Sequence, residues 1–69
     1  MRKMHPRIPE DWTIDKCYHP EYGGYVYQPR IPSEKGEWQM FIEPYVKWEQ
    51  AYAFIEGVWW ARENARRNQ

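Results

Sequence analysis

Residues 47–67, KWEQAYAFIEGVWWARENARR, decide the fold. Set about 100° apart, as an α-helix requires, the apolar side chains of this stretch fall to one side. Trp48, Ala51, Tyr52, Phe54, Ile55, Val58, Trp59, Ala61 and Ala65 share roughly half the circumference, wider than a coiled-coil seam. Such a stripe suits a helix lying across a sheet or buried partly in a partner. The helix is expected to begin near Tyr45 or Val46, with Glu49 in its first turns and Arg62, Arg66 and Arg67 in its last, the order the helix dipole favours. Trp60 stands apart from the stripe, among Glu49, Ala53, Glu56 and Asn64, on the face that should meet water. Gly57 also faces away from it, at about 1 kcal/mol relative to Ala.

Upstream of the helix the pattern changes from a period of 3.6 to a period of two. From Trp12 to Tyr18, Trp12, Ile14, Lys16 and Tyr18 alternate with Thr13, Asp15 and Cys17, which reads as a strand. His19-Pro20-Glu21-Tyr22-Gly23-Gly24 carries turn signals, and Tyr25–Ile31 has the aromatic and β-branched content of a second strand. Pro29 has no N–H to give a ladder, so this strand's second half lies at an edge or has left the ladder. After a polar connection, Glu37–Glu43 alternates again and reads as a third strand, ended by Pro44. The order predicts an α+β fold, a three-stranded antiparallel β-meander packed on one C-terminal α-helix (β-β-β-α). Tyr25, Tyr27, Trp38, Met40 and Ile42 would face the helix. Val26, Gln28, Gln39 and Phe41 would lie on the opposite face, which one helix cannot cover.

The domain reading is an extended basic arm over residues 1–11 and a single small domain over residues 12–69. Pro6 and Pro9 block an early helix, and Arg2, Lys3 and Arg7 charge the arm, which is mobile unless tied down. Sixty-nine residues bury only about 60% of the surface the unfolded chain exposes. Five Trp, six Tyr and two Phe offset this and leave aromatics over for an interface. Ten basic and ten acidic residues cancel, so no global field favours nucleic acid or membrane. The single cysteine, Cys17, excludes an internal disulfide and fits a reducing compartment. Without an apolar run or a secretory pattern, the expected location is the cytoplasm.

Little here points to chemistry. Cys17 and His19 share a strand face and could form a thiolate–imidazole pair, but no third orienting group is evident. A metal site would need His5 to join those two, and Gly23-Gly24 lacks the Lys-Ser/Thr of a phosphate-binding loop. The chain therefore reads as no enzyme, with no catalytic residue, no metal and no cofactor. The expected function is a small protein-interaction module that presents Trp60, Glu56, Ala53, Phe41 and Val26 to a protein partner. By analogy, compact domains of this kind are phage or mobile-element accessory proteins that bind and inhibit a host protein. A homodimer is a further expectation, with Phe54, Ala61 and Ala65 packing across a two-fold axis.

The stretch from Gly24 to Ala61 places a strand, a polar loop, a Trp-led strand and a helix containing Gln50-Ala51-Tyr52-Ala53 in succession. That layout resembles the AP2 and integrase arm-binding domains. The resemblance implies a DNA-binding alternative in which the three-stranded sheet enters the major groove and the helix backs it. Arg2, Lys3, Arg7, Lys16 and Arg30 would be the nucleic-acid contacts. Counterion release drives such binding, and a neutral domain gains little from it.

Overall fold

The computed structural model describes residues 4–33, 35, 39, 40 and 42–67. The alternating stretch after Trp12 forms strand β1, Thr13–His19. Pro20 opens a short 3-10 turn, Pro20–Tyr22, which closes when the Gly23 N–H donates to the Pro20 carbonyl at 3.0 Å. Gly23 (φ 86°) and Gly24 (φ 141°) both hold positive φ, which is why the turn needs two glycines. Strand β2, Gly24–Arg30, then returns antiparallel to β1, in a register that runs from His19 opposite Gly24 to Thr13 opposite Arg30.

The far edge of β2 is only partly occupied, and Pro29 explains why. Tyr27 and Tyr45 exchange backbone hydrogen bonds of 2.7 and 2.9 Å there, and Met40 N–H donates to the Ile31 carbonyl at 2.9 Å. In an antiparallel strand alternate residues aim their N–H groups to the same edge. Tyr27 thus places the nitrogen of Pro29 on that edge, where it has no hydrogen to donate. The ladder is interrupted at this point. The side-chain amide of Gln28 reaches across instead and donates to the Ile42 carbonyl. Among the described residues the sheet is therefore two-stranded, with isolated bridges at Tyr27–Tyr45 and Pro32–Gln39. Residues 37, 38 and 41 of the expected third strand lie outside the described set.

Helix α1, Trp48–Arg67, starts later than the expected Tyr45 or Val46, because the backbone of Tyr45 is already committed to Tyr27. Gln50 reaches back to accept from the Lys47 N–H at 3.2 Å, half of a capping box. Ala51 and Ile55 are fully buried and mark the centre of the stripe. Ala61 and Ala65, expected within it, are exposed. Over that last stretch Arg62 takes the inner position. Its guanidinium lies 5.1 Å from the Trp12 ring and donates to the Pro32 carbonyl at 3.2 Å.

The core consists of Ile8, Trp12, Ile31, Ile42 and Ile55, flanked by Met40, Tyr45, Tyr52, Val58 and Trp59 among others. Residues 4–11 are part of this packing. Two consecutive turns, Ile8 N–H to His5 carbonyl and Trp12 N–H to Pro9 carbonyl, direct Ile8 and Trp12 inward, where each is about 95% buried. His5 N–H donates to the Tyr52 hydroxyl at 3.1 Å, and that hydroxyl donates to Glu56.

Burial at the turn end of β2 is the reverse of the expected one, while further along the strand Pro29, on the same face as Tyr25, is buried. Val26, assigned to the open face, is 1% exposed, whereas Tyr25, assigned to the core, is 59% exposed. The difference follows solvation. A tyrosine keeps its hydroxyl in water and stacks its ring on a neighbour, here edge-on to Tyr18 at 5.2 Å, while valine has no polar atom to solvate.

Three outcomes are expected. Ile8→Ala should cost about 2–5 kcal/mol in chemical denaturation, and an unchanged midpoint would mean that residues 4–11 do not support the core. Gly57→Ala should add roughly 0.5–1 kcal/mol, because a Cβ there meets nothing within 4 Å. The carboxyl of Glu21 is held below the ordinary 4.5, first by its own backbone N–H and then by His19 Nδ1 at 3.0 Å. With a depressed folded pKa, its support of the turn is complete above 4.5 and fades as pH falls through the folded value. An NMR titration should place its midpoint under 4.5, and His19→Ala should restore only part of the shift.

Candidate partner-binding site

The C-terminal half of α1 and the folded-back segment 4–11 together build a groove. Trp59 lies at the margin of the apolar stripe and is half-buried, with the His5 ring 5.8 Å away. Trp60, about 100° further round the helix, is 65% exposed, as its place on the wheel implies. Because the His5 N–H bond to Tyr52 on one side and buried Ile8 on the other anchor it, Arg7 is carried alongside this half of the helix. A cavity of about 430 Å³ results, lined by His5, Arg7, Trp59, Trp60, Glu63, Asn64 and Arg67. A larger neighbour of about 710 Å³ extends over Trp12, Pro32, Ser33, Lys35, Arg62 and Arg66. The two adjoin, with Arg7, Trp59 and Glu63 lining both sides of one composite depression.

Although the chain's charges cancel, they are not evenly spread. Arg7, Lys35, Arg62, Arg66 and Arg67 line this depression against Asp11 and Glu63. Arg62 is a structural wall, fixed over Trp12 and to the Pro32 carbonyl. Arg66 lies 3.5 Å from Glu63 across one helical turn, an exposed pair worth little on its own. The surface combines indole rings with guanidinium groups, a composition enriched where proteins meet.

Of the residues expected to contact a protein partner, Trp60 lines the groove. Ala53 and Glu56 are exposed two turns and one turn before it, respectively, and line neither cavity. Val26 is buried in the hairpin and cannot touch a partner, for the solvation reason given above. Phe41 lies outside the described residues, as do Arg2 and Lys3. Among the expected nucleic-acid contacts, Arg7 joins Trp60 in the groove. Lys16 and Arg30 do not join them. The register puts these two on opposite faces of the hairpin, with Lys16 Nζ 4.8 Å over the Tyr25 ring and Arg30 paired with Asp15.

Sequence reasoning missed His5, Trp59 and Arg67 as members of the site, since only the folding-back of residues 4–11 unites them. It also missed a second aromatic surface. Tyr18, Tyr22 and Tyr25 are 61, 52 and 59% exposed around the hairpin turn. The turn text HPEYGGY held a signal for this, because a hairpin tip has no second layer beneath it.

The thiol and imidazole of the Cys17–His19 pair are both engaged locally. Cys17 Sγ is 3.8 Å from the Asp15 carbonyl, and His19 bonds Glu21. Among the described residues, no three His, Cys, Asp or Glu side chains are grouped so as to hold a metal ion, and no helix is long and apolar enough to cross a membrane. No family model, curated protein or solved structure matches the chain.

Proposed function

We propose that this chain is a non-enzymatic protein-interaction module whose binding surface is the groove along the C-terminal half of α1, anchored by Trp60. The observation that carries the reading is an indole 65% exposed at the rim of a concave surface that also holds Trp59 and Arg7. Trp and Arg dominate measured interface energies, and they do so when a pocket and a surrounding rim exclude water from them. Here Trp60 is the anchor, Trp59 forms the floor, and Arg7 and Arg67 supply the polar rim. The action is occlusion. The domain would change its partner by covering the surface it binds, in keeping with the inhibitory accessory role expected from the sequence.

The alternative, DNA reading by a three-stranded sheet, draws on a third strand over residues 37–43 and on strand cations sharing one face. Lys16 and Arg30 stand on opposite faces, which favours the protein partner.

The test compares wild type with Trp60→Ala as affinity baits in extract, and in parallel titrates both with a mixed oligonucleotide pool at low and moderate salt. A protein partner should be retained by wild type and lost by the variant, with about 2 kcal/mol or more of binding free energy removed. Thermal stability should change by no more than about 0.5 kcal/mol, as for other surface substitutions. Equal retention by the two baits would remove Trp60 as the anchor. Oligonucleotide binding that weakens steeply with salt would replace the protein partner with nucleic acid.

A further inference from the structure

Strand β1 has one edge paired with β2, and its other edge carries no backbone partner among the described residues. The register fixes which groups lie on that open edge. Tyr27 directs its N–H and carbonyl away from β1 toward Tyr45, so Lys16, its opposite number, directs its own away from β2. By alternation Ile14 and Tyr18 do the same. We propose that this edge pairs with the same edge of a second copy, antiparallel about a two-fold axis at Cys17, to form a continuous four-stranded sheet across the dimer.

The side chains of β1 select that register. Three antiparallel self-pairings engage five or more of the seven residues of Thr13–His19. One is centred on Lys16 and sets ammonium directly against ammonium. Another is centred on Asp15 and sets carboxylate against carboxylate. Like charges directly opposite are destabilising. A lysine in mid-edge ordinarily discourages pairing, and here it does so in the register centred on itself. The third is centred on Cys17. It places Lys16 opposite Tyr18 of the second copy and Asp15 opposite His19.

This register also extends contacts already present in one copy. Lys16 Nζ lies 4.8 Å over the Tyr25 ring, and Tyr25 meets Tyr18 edge-on at 5.2 Å. Across the dimer the same face would read Tyr25, Tyr18, then Lys16 and Tyr27 of the second copy, an ammonium between rings. The other face would read Val26, Cys17, Cys17 and Val26, an uncharged row on the axis. Exposed Tyr18 meets Lys16 of the second copy, and the open edge of β1 is closed. Cys17 is the reporter of this geometry and not the source of its affinity. As a non-hydrogen-bonded pair the two Cys17 Cα atoms would stand about 4.5 Å apart, within the range a disulfide spans.

Sedimentation velocity over a dilution series, with oxidative cross-linking by copper(II)-phenanthroline, tests the proposal. Each of the two thiols gives its proton to solvent and one electron to copper(II) as the S–S bond forms. A concentration-dependent dimer that cross-links through Cys17 is expected. Lys16→Pro should weaken it roughly tenfold or more, since the substitution deletes one outward N–H per copy and leaves the β1–β2 ladder intact. Circular dichroism of that variant verifies the fold, and Tyr18→Ala is the second variant if it fails, also expected to weaken the dimer. A monomer at every concentration would overturn the proposal. So would a dimer indifferent to both variants, or one that links faster through Asp15→Cys in a Cys17→Ser background than through Cys17.

Discussion

The burial of Ile55 is the constraint on which the rest depends. This side chain is fully enclosed, and around it meet Ile8 and Trp12 from the start of the chain, Ile31 from the end of the hairpin, and Ile42 from the connection to the helix. A chain of this size has too little interior for two such centres. Each segment must therefore contribute to the one cluster, and each is held by what it contributes. The hairpin alone would be marginal, as isolated two-stranded sheets are; its Ile31 end rests on the helix, while its tyrosine end extends past it.

The groove is a by-product of the same constraint. Residues 4–11 turn back to deliver Ile8 to the core, and in doing so they lay His5 and Arg7 beside Trp59 and Trp60. Arg62 then occupies the position a stripe residue would fill, bridging Trp12 to the Pro32 carbonyl. The cationic character of the groove is thus tied to packing. A neutral chain acquires a polarised surface because its structural and terminal arginines gather at one end.

Local patterns in the text made the helix and the hairpin legible. The 3.6-residue period placed Ala51 and Ile55 at the buried centre and Trp60 outside it, and the paired glycines located the turn. What depended on distant partners was not legible. At the turn end of β2, which of Tyr25 and Val26 meets solvent was not legible, because alternation alone treats the two equally. The arm's attachment depended on Ile8 finding Ile55, which no periodicity over eleven residues can announce. Pro29 was correctly read as incompatible with a continuous ladder, yet only the register shows that it interrupts the edge facing Tyr45 and Met40. For the site, Trp60 was visible as a misfit on the helical wheel, whereas its companions came from segments the sequence keeps far apart.

The distance in sequence between Ile8 and Ile55 also has a bearing on biosynthesis. A chain made from the N-terminus exposes Ile8, Trp12 and the hairpin well before the helix that covers them is free of the ribosome. Folding as a unit must then wait for the segment that carries Ile55, because the contacts that close the core are non-local. Until Ile55 has emerged, the nascent chain carries an uncovered indole and an open strand edge, the kind of surface that molecular chaperones recognise. The turns of α1 that carry Ala51 and Ile55 thus set the moment at which the core can close.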